Sequence, residues 1–113
     1  MKPLTRNEEI FLICIWRLDK NAYGVKIRET IMAMTGKSLL IGSLYNTLDQ
    51  LVKKEYVSTY KGEPTIQRGG QNKIYYSLTS KGKEALDIAR QLHNTLWRGI
   101  PENTFIKQES NEG

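Results

Sequence analysis

The segment Gly42-Ser43-Leu44-Tyr45-Asn46-Thr47-Leu48-Asp49-Gln50-Leu51-Val52-Lys53-Lys54 decides how this 113-residue chain folds. Leu44, Leu48, Leu51 and Val52 stand at i, i+4, i+7 and i+8, which puts them on one buried stripe of a helix. Outside the stripe lie Ser43, Asn46, Thr47, Gln50, Lys53 and Lys54, all polar, with Asp49 as the sole nearby acid. Such a face suits base edges and phosphates, and it equally suits water. The flanking segments decide between the two.

Upstream, Thr5 with Glu8 three residues later is a capping box. It opens a helix carrying Ile10, Phe11, Ile13, Cys14 and Leu18 at helical spacing and leaving at Asp19-Lys20-Asn21. A second helix is predicted from Tyr23 to Met34, with Tyr23, Ile27, Ile31 and Met34 on its inner face and Gly36 as its stop. Downstream, Tyr56 to Lys61 and Lys73 to Leu78 read as strands. Pro64 and three glycines between them predict a long hairpin loop. Thr79 caps a fourth helix to about Arg98, ended by Pro101 and followed by a polar tail expected to fray. Lys53 to Glu55 must reverse the chain, so Glu55 is predicted in the left-handed region.

Three helices, a hairpin and a further helix give a mostly α fold with a small β-hairpin, the order of a winged helix-turn-helix with a C-terminal dimerisation helix. The expected division is 1–78 for the DNA-binding domain, 79–100 for the dimerisation helix and 101–113 for a flexible tail. Charge follows the same map. Lys53 to Lys83 holds seven basic and two acidic residues and so carries the whole net charge of +5. Confinement of the excess to the third helix, hairpin and start of the last helix favours a polyanion as partner.

The inventory also excludes. Cys14 and His93 are each alone in their type, which rules out an internal disulfide and thiolate or paired-histidine metal sites. The longest apolar run, Ile10 to Trp16, is too short for a bilayer and lacks the flanks of a signal peptide, which points to a cytoplasmic protein. No nucleophile–base arrangement, Gly-rich nucleotide loop or P-loop is present, so no enzyme, catalytic residue, cofactor or metal is expected. Cys14 reads as a small core residue, and His93 as a helix-surface residue.

From about Leu4 to Trp97 the chain resembles the PadR family of bacterial transcriptional regulators. The resemblance is carried by Tyr23-Gly24-Val25-Lys26-Ile27, by Gly42-Ser43-Leu44-Tyr45-Asn46-Thr47-Leu48 with Leu51, and by Tyr75-Tyr76-Ser77-Leu78-Thr79 with Gly82. It implies a homodimer joined through the C-terminal helix, bound to a palindromic operator, acting as a repressor and released by an effector near the dimer interface. Val25, Asn46 and Glu55 stand where the family often has an aromatic, a Pro and a Gly.

The candidate DNA-binding residues are Ser43, Tyr45, Asn46, Thr47, Gln50, Lys53, Lys54, Lys61, Arg68 and Lys73. Asn46 and Gln50 suit adenine edges. Tyr45 suits a phosphate while its ring packs. Arg68, between glycines at the hairpin tip, suits a minor groove, and the lysines suit phosphates. The candidate dimer interface is Trp16, Ala85, Ala89, Leu92 and Leu96. Trp16 and Trp97 are read either as packing residues or as walls for a small aromatic ligand. A rival from another class is a winged-helix protein-interaction module without DNA binding.

Overall fold

The computed structural model describes residues 2–62 and 73–106. Four helices and a hairpin occur in the expected order: α1 (Arg6–Leu18), α2 (Gly24–Thr35), α3 (Ile41–Lys53), β1 (Val57–Lys61), β2 (Ile74–Leu78) and α4 (Ser80–Trp97). α1 starts with the full capping box: the Glu8 N–H donates to the Thr5 hydroxyl at 3.1 Å, and the Glu8 carboxylate accepts from the Thr5 N–H at 2.9 Å. A 3₁₀ turn over Asp19–Asn21 leads to α2, which Gly36 ends in the left-handed conformation at φ 72°.

Phe11, Leu12, Cys14 and Ile15 of α1 meet Ile27 and Ile31 of α2 and Leu44, Leu48 and Leu51 of α3 in one core. Three expected inward residues differ, the first being Tyr23, which is half-buried. Val52 lies at the core's margin, half-buried. Met34 is largely exposed, although its sulfur stands 3.8 Å from that of Cys14.

The strands pair antiparallel from Val57 with Leu78 to Lys61 with Ile74. On its other edge β2 is tied to the segment before α2: the Tyr76 N–H donates to the Ala22 carbonyl at 2.8 Å, and Tyr23 bridges Tyr75. The hairpin is therefore held to the body along β2. On that strand Tyr75 stacks on Tyr60 at 5.5 Å and meets Tyr23 edge-on at 5.6 Å.

α3 ends in a Schellman motif, with Tyr56 N–H bonded to the Leu51 carbonyl and Glu55 N–H to that of Val52. Glu55 is left-handed at φ 67°, as its sequence position predicts. α4 docks against this turn. Thr79 donates its hydroxyl to the Glu55 carbonyl at 2.6 Å and caps the Gly82 N–H at 3.0 Å. Over 101–106 the chain forms turns, and Phe105 meets Trp97 edge-on at 6.3 Å. The rest of the tail lies outside the described residues. None of the described helices is long and apolar enough to cross a membrane.

Candidate nucleic-acid interface

Burying Leu44, Leu48 and Leu51 forces the opposite side of α3 outward. Ser43, Asn46, Gln50 and Lys53 are all exposed there. Thr47 is half-buried at the edge of the face, closer to the core than the sequence suggests. Tyr45 lies on the flank with its ring across Gly24, the first residue of α2: a Cβ at Gly24 would stand 2.3 Å from the phenolic oxygen. Gly24 is thus the concession that lets the hydroxyl of Tyr45 rest at the start of α2.

The four described candidate lysines separate into different states. Lys53 and Lys61 are exposed, and among the described residues neither takes part in an ion pair. Lys73 places its ammonium 3.9 Å above the Tyr23 ring, a contact that fixes the cation at the loop end of the paired strands without neutralising it. Lys54, expected on a phosphate, is instead drawn back to α1 and ion-paired with the buried carboxylate of Glu8. Burial would raise the Glu8 pKa, but the Lys54 hydrogen bond, the Thr5 N–H and the Lys54 charge outweigh it and hold the carboxyl below its usual 4.5. The bond to Glu8 in turn pushes Lys54 upward. Sequence reasoning gave Glu8 its capping role and missed this second one. Arg68 lies outside the described residues.

The C-terminal helix also divides its expected seam. Ala85 is buried in the protomer's own core, because α1 and β2 cover the first turns of α4. Ala89 is half-buried, whereas Leu92 and Leu96 are 50% and 64% exposed. Ile88, one turn before Leu92 and missed by the 4-3-4 pattern, is exposed beside them. Two open grooves flank α4. One, of about 790 Å³, contains Trp16 with Arg17, Arg90 and Asp87; the other, of about 440 Å³, contains Trp97 with Ile88, Leu92 and Leu96. Within one protomer the two tryptophans therefore line different grooves. Among the described residues no group of three or more His, Cys, Asp or Glu side chains is placed to hold a metal.

The family model for the "Transcriptional regulator PadR-like family" matches residues 12–88, from α1 through the first half of α4. Among solved structures, the chain is similar to a PadR family transcription regulator from Clostridium difficile R20291 at 26% identity and TM-score 0.59, over 77% of this chain and 88% of that one. It is similar to a Streptococcus mutans UA159 protein at 27% identity and TM-score 0.62, over 84% of each chain. A transcriptional regulator from Clostridium thermocellum shares the fold at 23% identity and TM-score 0.62, over 89% of this chain and 96% of that one. No curated protein matches the chain.

Proposed function

The chain belongs to the PadR-like family of transcriptional regulators, and from that premise we propose a homodimeric repressor of a palindromic operator. The observation that carries this reading is the exposed polar face of α3, opposite its buried stripe and beside the hairpin. One such helix from each protomer enters successive major grooves, about one helical turn apart. Asn46 and Gln50 hydrogen-bond base edges, helped by Ser43 and Thr47, while Tyr45, Lys53, Lys61 and Lys73 hold phosphates. Arg68 completes the set by reaching the minor groove from the hairpin.

The division into a DNA-binding unit over 1–78, a dimerisation helix over 79–100 and a tail follows from the same reading. Leu92 and Leu96, with Ala89 and Ile88, leave an apolar stripe that the protomer itself does not cover, and a second copy of α4 is its natural complement. Trp16, exposed on α1, lines the other groove along α4. A small aromatic effector fits where a partner protomer closes the grooves that hold Trp16 and Trp97, and its binding would shift the spacing of the two α3 helices.

Selection of bound sequences from random duplex DNA tests the central claim. A palindromic consensus, with Gln50→Ala relaxing one base position per half-site, is the expected result. No duplex binding even at low salt would refute it and leave a protein-interaction module. For the dimer, sedimentation at micromolar concentration is expected to give two chains, reduced to one by Leu92→Glu.

A further inference from the structure

α3 begins against the rules for helix starts. Its N-cap is Leu40, which offers no side-chain acceptor; the N-cap of α2, Tyr23, makes no side-chain cap either, whereas α1 and α4 each begin at a threonine whose side chain accepts a backbone N–H. Leu40 and the next residue, Ile41, are 72% and 60% exposed. At Gly42, which follows, nothing lies within 4 Å of where a Cβ would stand. Two aliphatic side chains and a bare stretch of backbone thus project together from the leading end of this helix.

This end is held in place. Arg28 of α2 donates from Nε to the Leu39 carbonyl at 2.6 Å, Leu39 packs on the core, and the Leu44 N–H closes the first helical bond onto the Leu40 carbonyl at 2.9 Å. No residue of α3 lines the two grooves along α4. A poor cap and exposed aliphatic surface at a fixed position are a local cost of the sort found where function overrides stability.

We propose that Leu40 and Ile41 are specificity-determining residues that read thymine through its C5-methyl group, with Gly42 allowing the helix start to come close to the DNA. The inference rests on the DNA-binding reading above and deepens it. A recognition helix presents its N-terminal residues to base edges, and the thymine methyl is the apolar group that the four bases display in the major groove. Leu40 and Ile41 have no hydrogen-bonding side-chain atom, so that methyl is their complement there. Thymine contacts from these two residues and adenine contacts from Asn46 and Gln50 together make the half-site rich in A·T pairs.

The test uses the full chain and a duplex recovered from random-sequence selection, with each thymine replaced in turn by deoxyuridine, which lacks only the methyl. At one or two positions per half-site the wild-type protein is expected to lose about fourfold in affinity per methyl, the effect of uncovering one CH₂-sized group. The double variant Leu40→Ser with Ile41→Ala is expected to bind thymine and deoxyuridine duplexes equally, with an unchanged salt dependence. Ser at the N-cap and Ala in the first turn both favour the helix, and circular dichroism is expected to show the variant folded. Indifference of the wild-type protein to every methyl, with duplex binding intact, would overturn this inference alone. Persistence of the deoxyuridine penalty in the variant would overturn it as well. Absence of any duplex binding by the wild-type protein would remove the DNA-binding reading itself, and this inference with it.

Discussion

Replacing Glu55 by glycine is expected to stabilise the protein. Glu55 closes the Schellman turn at φ 67°, where a residue with a Cβ is strained by about 1–2 kcal/mol. Glycine relieves that strain but gives back roughly 0.5–1 kcal/mol through the greater freedom of the unfolded chain. The ion pair lost is weak: Lys81 Nζ stands 3.9 Å from a Glu55 carboxylate that is 79% exposed, and an exposed pair contributes only about 0–1 kcal/mol. Lys81 also lies over the Tyr56 ring at 5.6 Å and keeps that contact. Removing a negative charge from the negative end of α3 offsets the lost pair by a similar amount, about 0.3–1 kcal/mol. The Thr79 hydroxyl bonds to the backbone carbonyl of residue 55, which every substitution retains. The net gain is about 0.5–1 kcal/mol, or an increase in Tm of about 2–4 °C for a chain of this size. Thermal denaturation followed by circular dichroism at one fixed protein concentration measures it. Glu55→Ala is the necessary control, since it removes the carboxylate and keeps the strain; its Tm is expected within about 2 °C of wild type. Equal effects of Gly and Ala would refute the backbone argument, and a lower Tm for Gly would show the ion pair to be the stronger term. Operator affinity is expected to be no weaker in Glu55→Gly.

Gly82 gives the opposite case: a Cβ there would meet the Tyr56 carbonyl oxygen at 2.1 Å, backbone that cannot swing aside, so Gly82→Ala is expected to cost about 1–3 kcal/mol in denaturant unfolding. Gly24→Ala meets only the far end of the Tyr45 side chain, and it is expected to lower DNA affinity by displacing the phenol while Tm stays nearly constant. Lys53 and Lys54 should separate cleanly: Lys53→Ala makes the log–log salt slope shallower by about 2 for a dimer, whereas Lys54→Met leaves the slope and lowers stability by about 1–2 kcal/mol. The depressed pKa of Glu8 means that its contribution is complete above about pH 4.5 and disappears as pH falls through its lower folded value, so acid unfolding of Glu8→Gln is expected to depend less steeply on pH below that point.

What the sequence disclosed depended on how far apart the cooperating residues stand. The capping box of Thr5 and Glu8, the Thr79 cap and the stripe on α3 are patterns within a few residues, and each appears in the fold at its expected place. The left-handed Glu55 was legible for the same reason: a helix ending near Lys54 and a strand beginning near Tyr56 leave one residue to make the reversal. The pairing of Glu8 with Lys54 spans 46 positions, and no local period records it. Both residues carried a sufficient local role, the first as a cap and the second as one more cation in a basic run, so nothing in the pattern called for a partner.

The fourth helix shows a different limit. Periodicity marks which residues of a helix share a face but is silent on what covers that face at each turn. Ala85 and Leu92 belong to one repeating pattern, yet the first lies under α1 in the protomer's own core while the second is half exposed. The division follows from length. α1 has 13 residues and α4 has 18, about 20 Å against 27 Å, so the longer helix cannot be covered along its whole extent by the shorter. Small Ala85 lies where two helices of one chain must approach, and the large Ile88, Leu92 and Leu96 follow where cover from the same chain runs out. If a second copy covers Ile88, Leu92 and Leu96, the boundary between the chain's own cover and that of its proposed partner falls near half-buried Ala89. Exchanging the two characters tests this: Ala85→Leu is expected to destabilise the protomer by overpacking, whereas Leu92→Ala is expected to weaken self-association in sedimentation with little change in the fold of the separated chain.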